Sequence, residues 1–342
     1  MTSATGPAGA APTEPDSTAG PVRPRRALPR VRSVAGSLLS RAATLVAASF
    51  LVFAAVSASP GDPVSQIVGT RASEVEREAV RQQLGLGRPF LERYWDWITD
   101  AISGDFGSSI IYRTDVSSLI SARIGTTLMI VAYATVLIIV LGLTLGILGG
   151  AVRRLRAPMA AVTGLLLGVP QFVAAQVLVA FLAVQWNVFP VQGRGSGVLD
   201  TIHHLTLPAL ALAISWSAYV AQITMAAVKD EARRDHVDTA RGRGIPPAHI
   251  FRRHVLRNAA APVITVSGLT VAALFAGAIV VETAFNLPGL GTLLVKAVSD
   301  KDHNIVLAVS VIFVAVFIVV TTAIDFIQAA LDPRIRQGRG RA

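Results

Sequence analysis

The chain has 342 residues, of which 52% are hydrophobic and only 15% charged, where about a quarter of residues are charged in ordinary soluble domains. That balance excludes a water-solvated globule and makes the bilayer the expected solvent. With no cysteine among its residues, the chain can build neither a disulfide framework nor a thiolate metal site. Its net charge of +10 fits nucleic acid, acidic lipid or membrane topology until the charges are placed along the chain.

In chain order, residues 1–33 are rich in Pro, Ala, Gly, Thr and Arg, with too few large apolar groups to offset the entropy of ordering. They read as a disordered cytoplasmic tail. A cleaved leader is the competing reading. However, the first apolar stretch is followed by Pro60, Gly61, Asp62 and Pro63, not by a small-residue cleavage site. Roughly 20 apolar residues are needed to cross a ~30 Å hydrocarbon core, and six segments qualify: 42–58, 128–150, 157–184, 205–228, 259–281 and 305–331. The expected fold is therefore an all-α membrane domain over 34–336 with six transmembrane helices, a long loop at 59–123, a second at 229–258 and a short tail at 337–342. In the first loop, Trp95, Trp97 and the amphipathic 75–84 stretch suggest short helices at the outer membrane face.

Placing the basic residues on alternate sides of these segments puts 21 on the side of both termini and 10 on the other. Positively charged loops stay cytoplasmic, so both termini are expected inside an inner (cytoplasmic) membrane, and the basic balance reads as topology rather than as nucleic-acid binding. The partner implied by composition is lipid.

Several chemistries are excluded by motif. A phosphate-binding loop needs Lys followed by Ser or Thr, but the chain's lysines, Lys229, Lys296 and Lys301, are followed by Asp, Ala and Asp. No nucleotide or other cofactor is expected. His203 and His204 lack a His-Glu-x-x-His context, so a metal site would have to be assembled across loops, and none is expected. No Gly-x-Ser-x-Gly turn occurs, and Ser215 has no histidine nearby in sequence. The chain is not expected to be an enzyme.

The 229–258 loop carries the most information. Lys229–Gly244 is compatible with a helix, Pro246 and Pro247 break it, and 248–258 reads as a second helix. Asp235, His236, Val237, Asp238, Thr239, Ala240, Arg241, Gly242, Arg243 and Gly244 resemble the loop Asp-Tyr-Val-Arg-Thr-Ala-Arg-Ala-Lys-Gly of dipeptide and oligopeptide ABC importer permeases. Glu231 and Ala232 look like the wider family's Glu-Ala-Ala but are out of register with Gly244. Arg253 to Ala259 is similar to the same branch's Arg-His-Ala-Leu-Arg-Asn-Ala. Pro60 to Pro63, Leu84, Gly85, Leu86, Pro89 and Gly104 to Ser108 also fall where this branch has similar residues. So do Glu282 to Gly291, Asp302 and Leu331 to Arg336.

The resemblance implies the type I permease architecture of ABC importers. It also implies a pairing with a second permease, two cytoplasmic ATPase subunits that hydrolyse the ATP, and an extracytoplasmic solute-binding protein. The matched residues, with Ala240, Gly242 and Gly244 as small residues on one face, would form the coupling helix seated in the ATPase. Peptides are the expected cargo. Nickel chelates, glutathione and sugars are alternatives, because similar permeases carry them. His236 and Asp238 depart from the branch's Tyr and Arg, and Gln222 and Met225 stand where it often has basic residues, which leaves the cargo open.

Within the membrane, Gln171 and Gln176 follow Pro170, a helix-bending residue, and Trp216 lies in the fourth segment. These three are the candidate translocation path, with plain helix packing as the alternative. Glu282 suggests a capping or docking role and Asp325 an interfacial or helix-pairing one, with gating as the alternative. A stand-alone secondary carrier would show several intramembrane carboxylates and symmetric helix breaks, and a membrane-anchored enzyme a catalytic constellation on a loop. The sequence offers little of the first and none evident of the second.

Overall fold

Peptide groups in hydrocarbon must find partners within their own segment, which favours helices. In a computed structural model of the chain, the described residues form helices, turns and one isolated bridge between Ser108 and Asp115. The structure describes residues 31–59, 64, 68, 72–83, 85 and 87–331. Residues 1–30 of the expected 1–33 tail, the expected 337–342 tail with 332–336 before it, the Pro60 to Pro63 motif, Leu84 and Leu86 lie outside them, while 31–33 belong to the first helix. The chain divides into Met1–Ala43 and Thr44–Ala342, and the packing described below belongs to the second unit.

Helix α1 (Val31–Ser57) is followed by two short helices, α2 (Glu74–Gln83) and α3 (Phe90–Ser103). At the start of α2, Ser73 and Glu76 form a reciprocal cap. The Ser73 N–H and hydroxyl donate to the Glu76 carboxylate (2.8 and 3.0 Å), which holds that carboxyl below its ordinary value. Helix α3 turns Phe90, Tyr94 and Trp97 onto Phe53 of α1, with ring centroids 5.3 to 5.9 Å apart, and the Tyr94 hydroxyl meets Ser49 Oγ at 2.9 Å. Trp97 is thus part of a packed aromatic cluster, whereas Trp95 stays 67% exposed.

Helix α4 (Val116–Ala151) and helix α7 (Val198–Glu231) form the most extensive helix pair. Their seam rests on small residues. A Cβ at Gly142 would lie 2.8 Å from Val220 Cγ1, one at Gly146 2.8 Å from the Ala221 carbonyl oxygen, and one at Gly150 2.8 Å from Val228 Cβ. The Gly-x-x-x-Gly-x-x-x-Gly spacing lets the backbones approach without side chains between them, the usual means of helix association in lipid.

The third expected segment is not one straight helix. It consists of α5 (Arg153–Leu167) and α6 (Gln171–Leu178), which continues as a wider π turn over Val179–Gln185, with 99° between the two helical arms. Pro170 cannot donate a hydrogen bond to the preceding turn, and the Ser215 hydroxyl donates to the Val169 carbonyl at the corner (2.5 Å). Helix α8 (Asp235–Gly242) and the single-turn α9 (Pro247–Ile250) follow α7. A π segment (Phe251–Leu256) then leads into α10 (Arg257–Ala284), and α11 (Leu290–Ser299) and α12 (His303–Leu331) complete the described chain. Among the described residues, five helices are long and apolar enough to span a bilayer, and the bent α5–α6 pair makes a sixth if it counts as one span. The central core joins α4, α6, α7 and α10 through Ile130, Ile138, Ala175, Leu212, Leu274 and Phe285.

Candidate functional site

Helix α7 stops at Glu231, and Arg233 and Arg234 turn the chain through tight N–H to C=O bonds onto Asp230 and Glu231. The continuous helix expected over 229–244 is therefore broken at 232–234. The physical reason is burial: Val237, Ala240, Ile250, Val255 and Ala259 cluster against Val228, which requires α8 to fold back on the end of α7. The second expected helix, 248–258, has no break before the next span, because its π turns run directly into α10.

Helix α8 is closed by a defined cap. The Ile245 N–H donates to the Ala240 carbonyl (3.2 Å) and the Gly244 N–H to the Arg241 carbonyl (2.9 Å), the two bonds of a Schellman motif. Gly244 holds φ at +72°, a left-handed backbone that glycine adopts without steric cost. Asp235 and Asp238 lie in the first turn and Arg241 in the last, which suits the helix dipole. The Asp238–Arg241 pair (2.7 Å) has both side chains more than half exposed and so contributes at most about 1 kcal/mol.

The two faces of α8 do different things. Val237 and Ala240 are buried within the loop's own cluster, while Asp235, Asp238, Thr239, Arg241, Gly242, Arg243 and Gly244 are exposed. The expectation that Ala240 shares an outward face with Gly242 and Gly244 is thus corrected: Ala240 is 5% exposed and packs inward.

A joint that sequence register set aside holds this helix in place. Glu231, 7% exposed, accepts a hydrogen bond from Asn258 Nδ2 at the start of α10 (2.9 Å), and its carboxylate lies 3.0 Å from Arg234 Nε and 3.3 Å from His236 Nε2. One carboxylate thus ties the end of α7, the start of α8 and the start of α10. The sequence signals for it were the likeness of Glu231 and Ala232 to the family's Glu-Ala-Ala and a carboxylate at the boundary between an apolar run and a basic loop.

The three candidate path residues have different surroundings. The Gln171 amide reaches the backbone of α10 at Gly277, where a Cβ would lie 2.9 Å from Nε2. Gln176, on another face of α6, is exposed. Trp216 is half-buried against the central core, with Nε1 inside and its ring 6.1 Å from Tyr219. His203 and His204 do gain an acidic neighbour, but from the same helix rather than across loops. Asp200 lies one turn earlier, and one ligand-type atom from each of the three falls within 4.8 Å of the others. Asp200 is already occupied, accepting from the Ser196 N–H (2.7 Å) and pairing with His204 Nδ1 (3.1 Å).

The sequence is matched by known protein families. Residues 138–337 match the family described as binding-protein-dependent transport system inner membrane component, and residues 31–131 match the N-terminal region of such membrane components. The chain belongs to this family. It is a membrane permease subunit of an ATP-binding cassette importer, with the all-helical architecture of such permeases. It is similar to the probable peptide ABC transporter permease protein y4tP of Sinorhizobium fredii, with 32% identity over 87% of this chain and 97% of the relative. It is also similar to the glutathione transport system permease protein GsiC of Escherichia coli K12, with 36% identity over the same shares. Among solved structures, the inward-facing MetNI methionine ABC transporter aligns with a TM-score of 0.50 and 16% identity, over 63% of this chain and 96% of that one. An amino acid ABC transporter with histidines aligns equally well, over 94% of its chain. At that identity the likeness speaks for the fold.

Proposed function

We propose that this permease carries peptides, small ones such as glutathione included, and that α8 is the lever through which two cytoplasmic ATPase subunits act on it. A second permease would complete the passage and an extracytoplasmic solute-binding protein would deliver the cargo, with both termini cytoplasmic. The chain itself hydrolyses no nucleotide in this scheme. The observation that carries the reading is the Glu231 joint: α8 offers an exposed polar face to a partner while one buried carboxylate fixes it to the ends of α7 and α10. Force applied to that face therefore reaches two spans at once. The cargo class is supported by the peptide and glutathione relatives, whose likeness extends over 87% of this chain.

Because the chain has no cysteine, a single introduced cysteine is its sole thiol. Thr239→Cys, on the outward face, should be captured by a short crosslinker on an ATPase subunit in the assembled complex, and Ala240→Cys, on the inward face, should not. Capture at neither position, or uptake by the permease alone, would defeat the proposal.

A further inference from the structure

Two buried carboxylates take no part in the loop or the path. Glu282 is fully buried and Asp302 is 1% exposed, and they flank the short helix α11 at opposite ends. At its start, the Leu290 N–H donates to Thr127 Oγ1 (2.9 Å), and the N–H groups of Gly291 and Thr292 donate to Glu282 Oε2 (2.7 and 3.2 Å). The Thr127 hydroxyl in turn donates to Glu282 Oε1 (2.5 Å). The first amides of a helix have no partner inside it. Here side chains from α4 and α10 supply one for each of the first three, with a carboxylate at the positive end of the dipole.

The other end is fastened elsewhere. The Asp302 N–H donates to the Ala297 carbonyl of α11 (2.8 Å), while its side chain accepts from Ser109 Oγ (2.5 Å) and the Ile111 N–H (3.3 Å) in the 59–123 loop. Ser109 Oγ also accepts the Tyr112 N–H (2.9 Å), and Asn304 Nδ2 donates to the Ser108 carbonyl (2.8 Å). Between the two anchors, Leu290, Leu293 and Ala297 pack against Val116 and Ile120 of α4 and Ile305 of α12. A buried carboxylate network is costly when half satisfied, so both anchors favour motion of α11 together with whatever each one grips.

We propose that α11 is a strut that passes displacement of the 108–115 segment to the spans α4 and α10, with Asp302 and Glu282 as positioning residues at its two ends. The proposal rests on the importer reading, in which a loaded binding protein engages the 59–123 loop. It places a second transmission element opposite α8, so that arrival of cargo and closure of the ATPases act on α10 from its two ends.

The test uses the whole complex in lipid nanodiscs: this permease, its partner permease, both ATPases and the loaded binding protein. Ser109→Ala and Thr127→Val each remove one anchor hydroxyl, and with it two hydrogen bonds, while leaving both carboxylates in place. ATP hydrolysis per assembled complex, without binding protein, should stay close to wild type in both variants. Stimulation by the binding protein should fall by at least about five-fold, the scale of deleting a single buried hydrogen bond, and Thr127→Ser should restore it at the Thr127 anchor. Stimulation that persists in both variants overturns the strut, as does a parallel loss of basal and stimulated rates, which would mark a merely structural role. A wild-type complex that never assembles with ATPases removes the importer reading and the strut with it, whereas a responsive wild type beside equally responsive variants removes the strut alone.

Discussion

Replacing Glu231 by alanine should free α8 from the membrane helices without unfolding them. The substitution deletes a carboxylate that is 7% exposed and leaves Asn258 Nδ2 without its 2.9 Å acceptor. A hydrogen bond to a charged group contributes about 1.5–3 kcal/mol. The Arg234 side chain is 68% exposed, so its pairing adds under about 1 kcal/mol. Taking about 2 kcal/mol for the joint, the local opening of α8 should become roughly thirty-fold more populated. Amide hydrogen exchange of the protein in nanodiscs would read this as faster exchange confined to 235–245, with α4 and α10 as internal references. Glu231→Gln, whose side-chain carbonyl can still accept from Asn258, should recover much of the protection. If exchange across 235–245 is unchanged in Glu231→Ala, α8 is held by its apolar contacts alone and the joint has no mechanical role.

Gly146→Val should lower the midpoint of thermal unfolding in detergent by several degrees, because a Cβ there would lie 2.8 Å from the Ala221 carbonyl oxygen and overpacking costs roughly 1–3 kcal/mol; an unchanged midpoint would show that the α4–α7 seam yields. Two neighbouring glycines should respond with opposite signs. Gly244→Ala strains a backbone at φ +72° by about 1–2 kcal/mol and should speed exchange in α8, while Gly242→Ala meets open space and should slow it by removing about 1 kcal/mol of glycine's helix penalty. The Ser73–Glu76 cap should weaken on acidification. The Glu76 carboxyl is held below its ordinary 4.5 by the Ser73 bonds, so its contribution is present above that pH and is lost as pH falls through the lower folded value. A lower protection factor at the start of α2 in that acidic window, referenced to the intrinsic exchange rate at each pH, would register the loss, and a pH-independent protection factor would deny it.

Much of this protein was legible in sequence because its solvent is written there. Continuous apolar runs admit few outcomes in hydrocarbon, and five of the six expected segments are single long helices in the structure. The exception, 157–184, has the composition of a span. Its 99° corner depends on Pro170 together with the Ser215 hydroxyl from α7, a partner that hydropathy does not name. The Gly142, Gly146 and Gly150 spacing was also in plain view, but small residues four apart say only that some helix comes close. That the helix is α7, with Val220 and Val228 against the glycines, is a fact of packing.

The same division holds in the loop. The order of residues from Lys229 to Pro247 was enough to mark a helix that ends near Gly244, since breaker preferences are local, but not its start at Asp235. Which face of that helix is free was not local. Ala240 and Gly242 look equivalent as small residues, yet one is 5% exposed and the other lies on the surface. The difference arises because Val228, Ile250 and Val255 arrive from either side of the loop. Sequence by itself therefore determined the solvent, the helices and the family to which the chain belongs. Only the tertiary structure decided that Glu231, Glu282 and Asp302 are joints, because a carboxylate's role in a membrane protein depends on the donors brought to it, and each of the three has a donor 27 to 193 residues away.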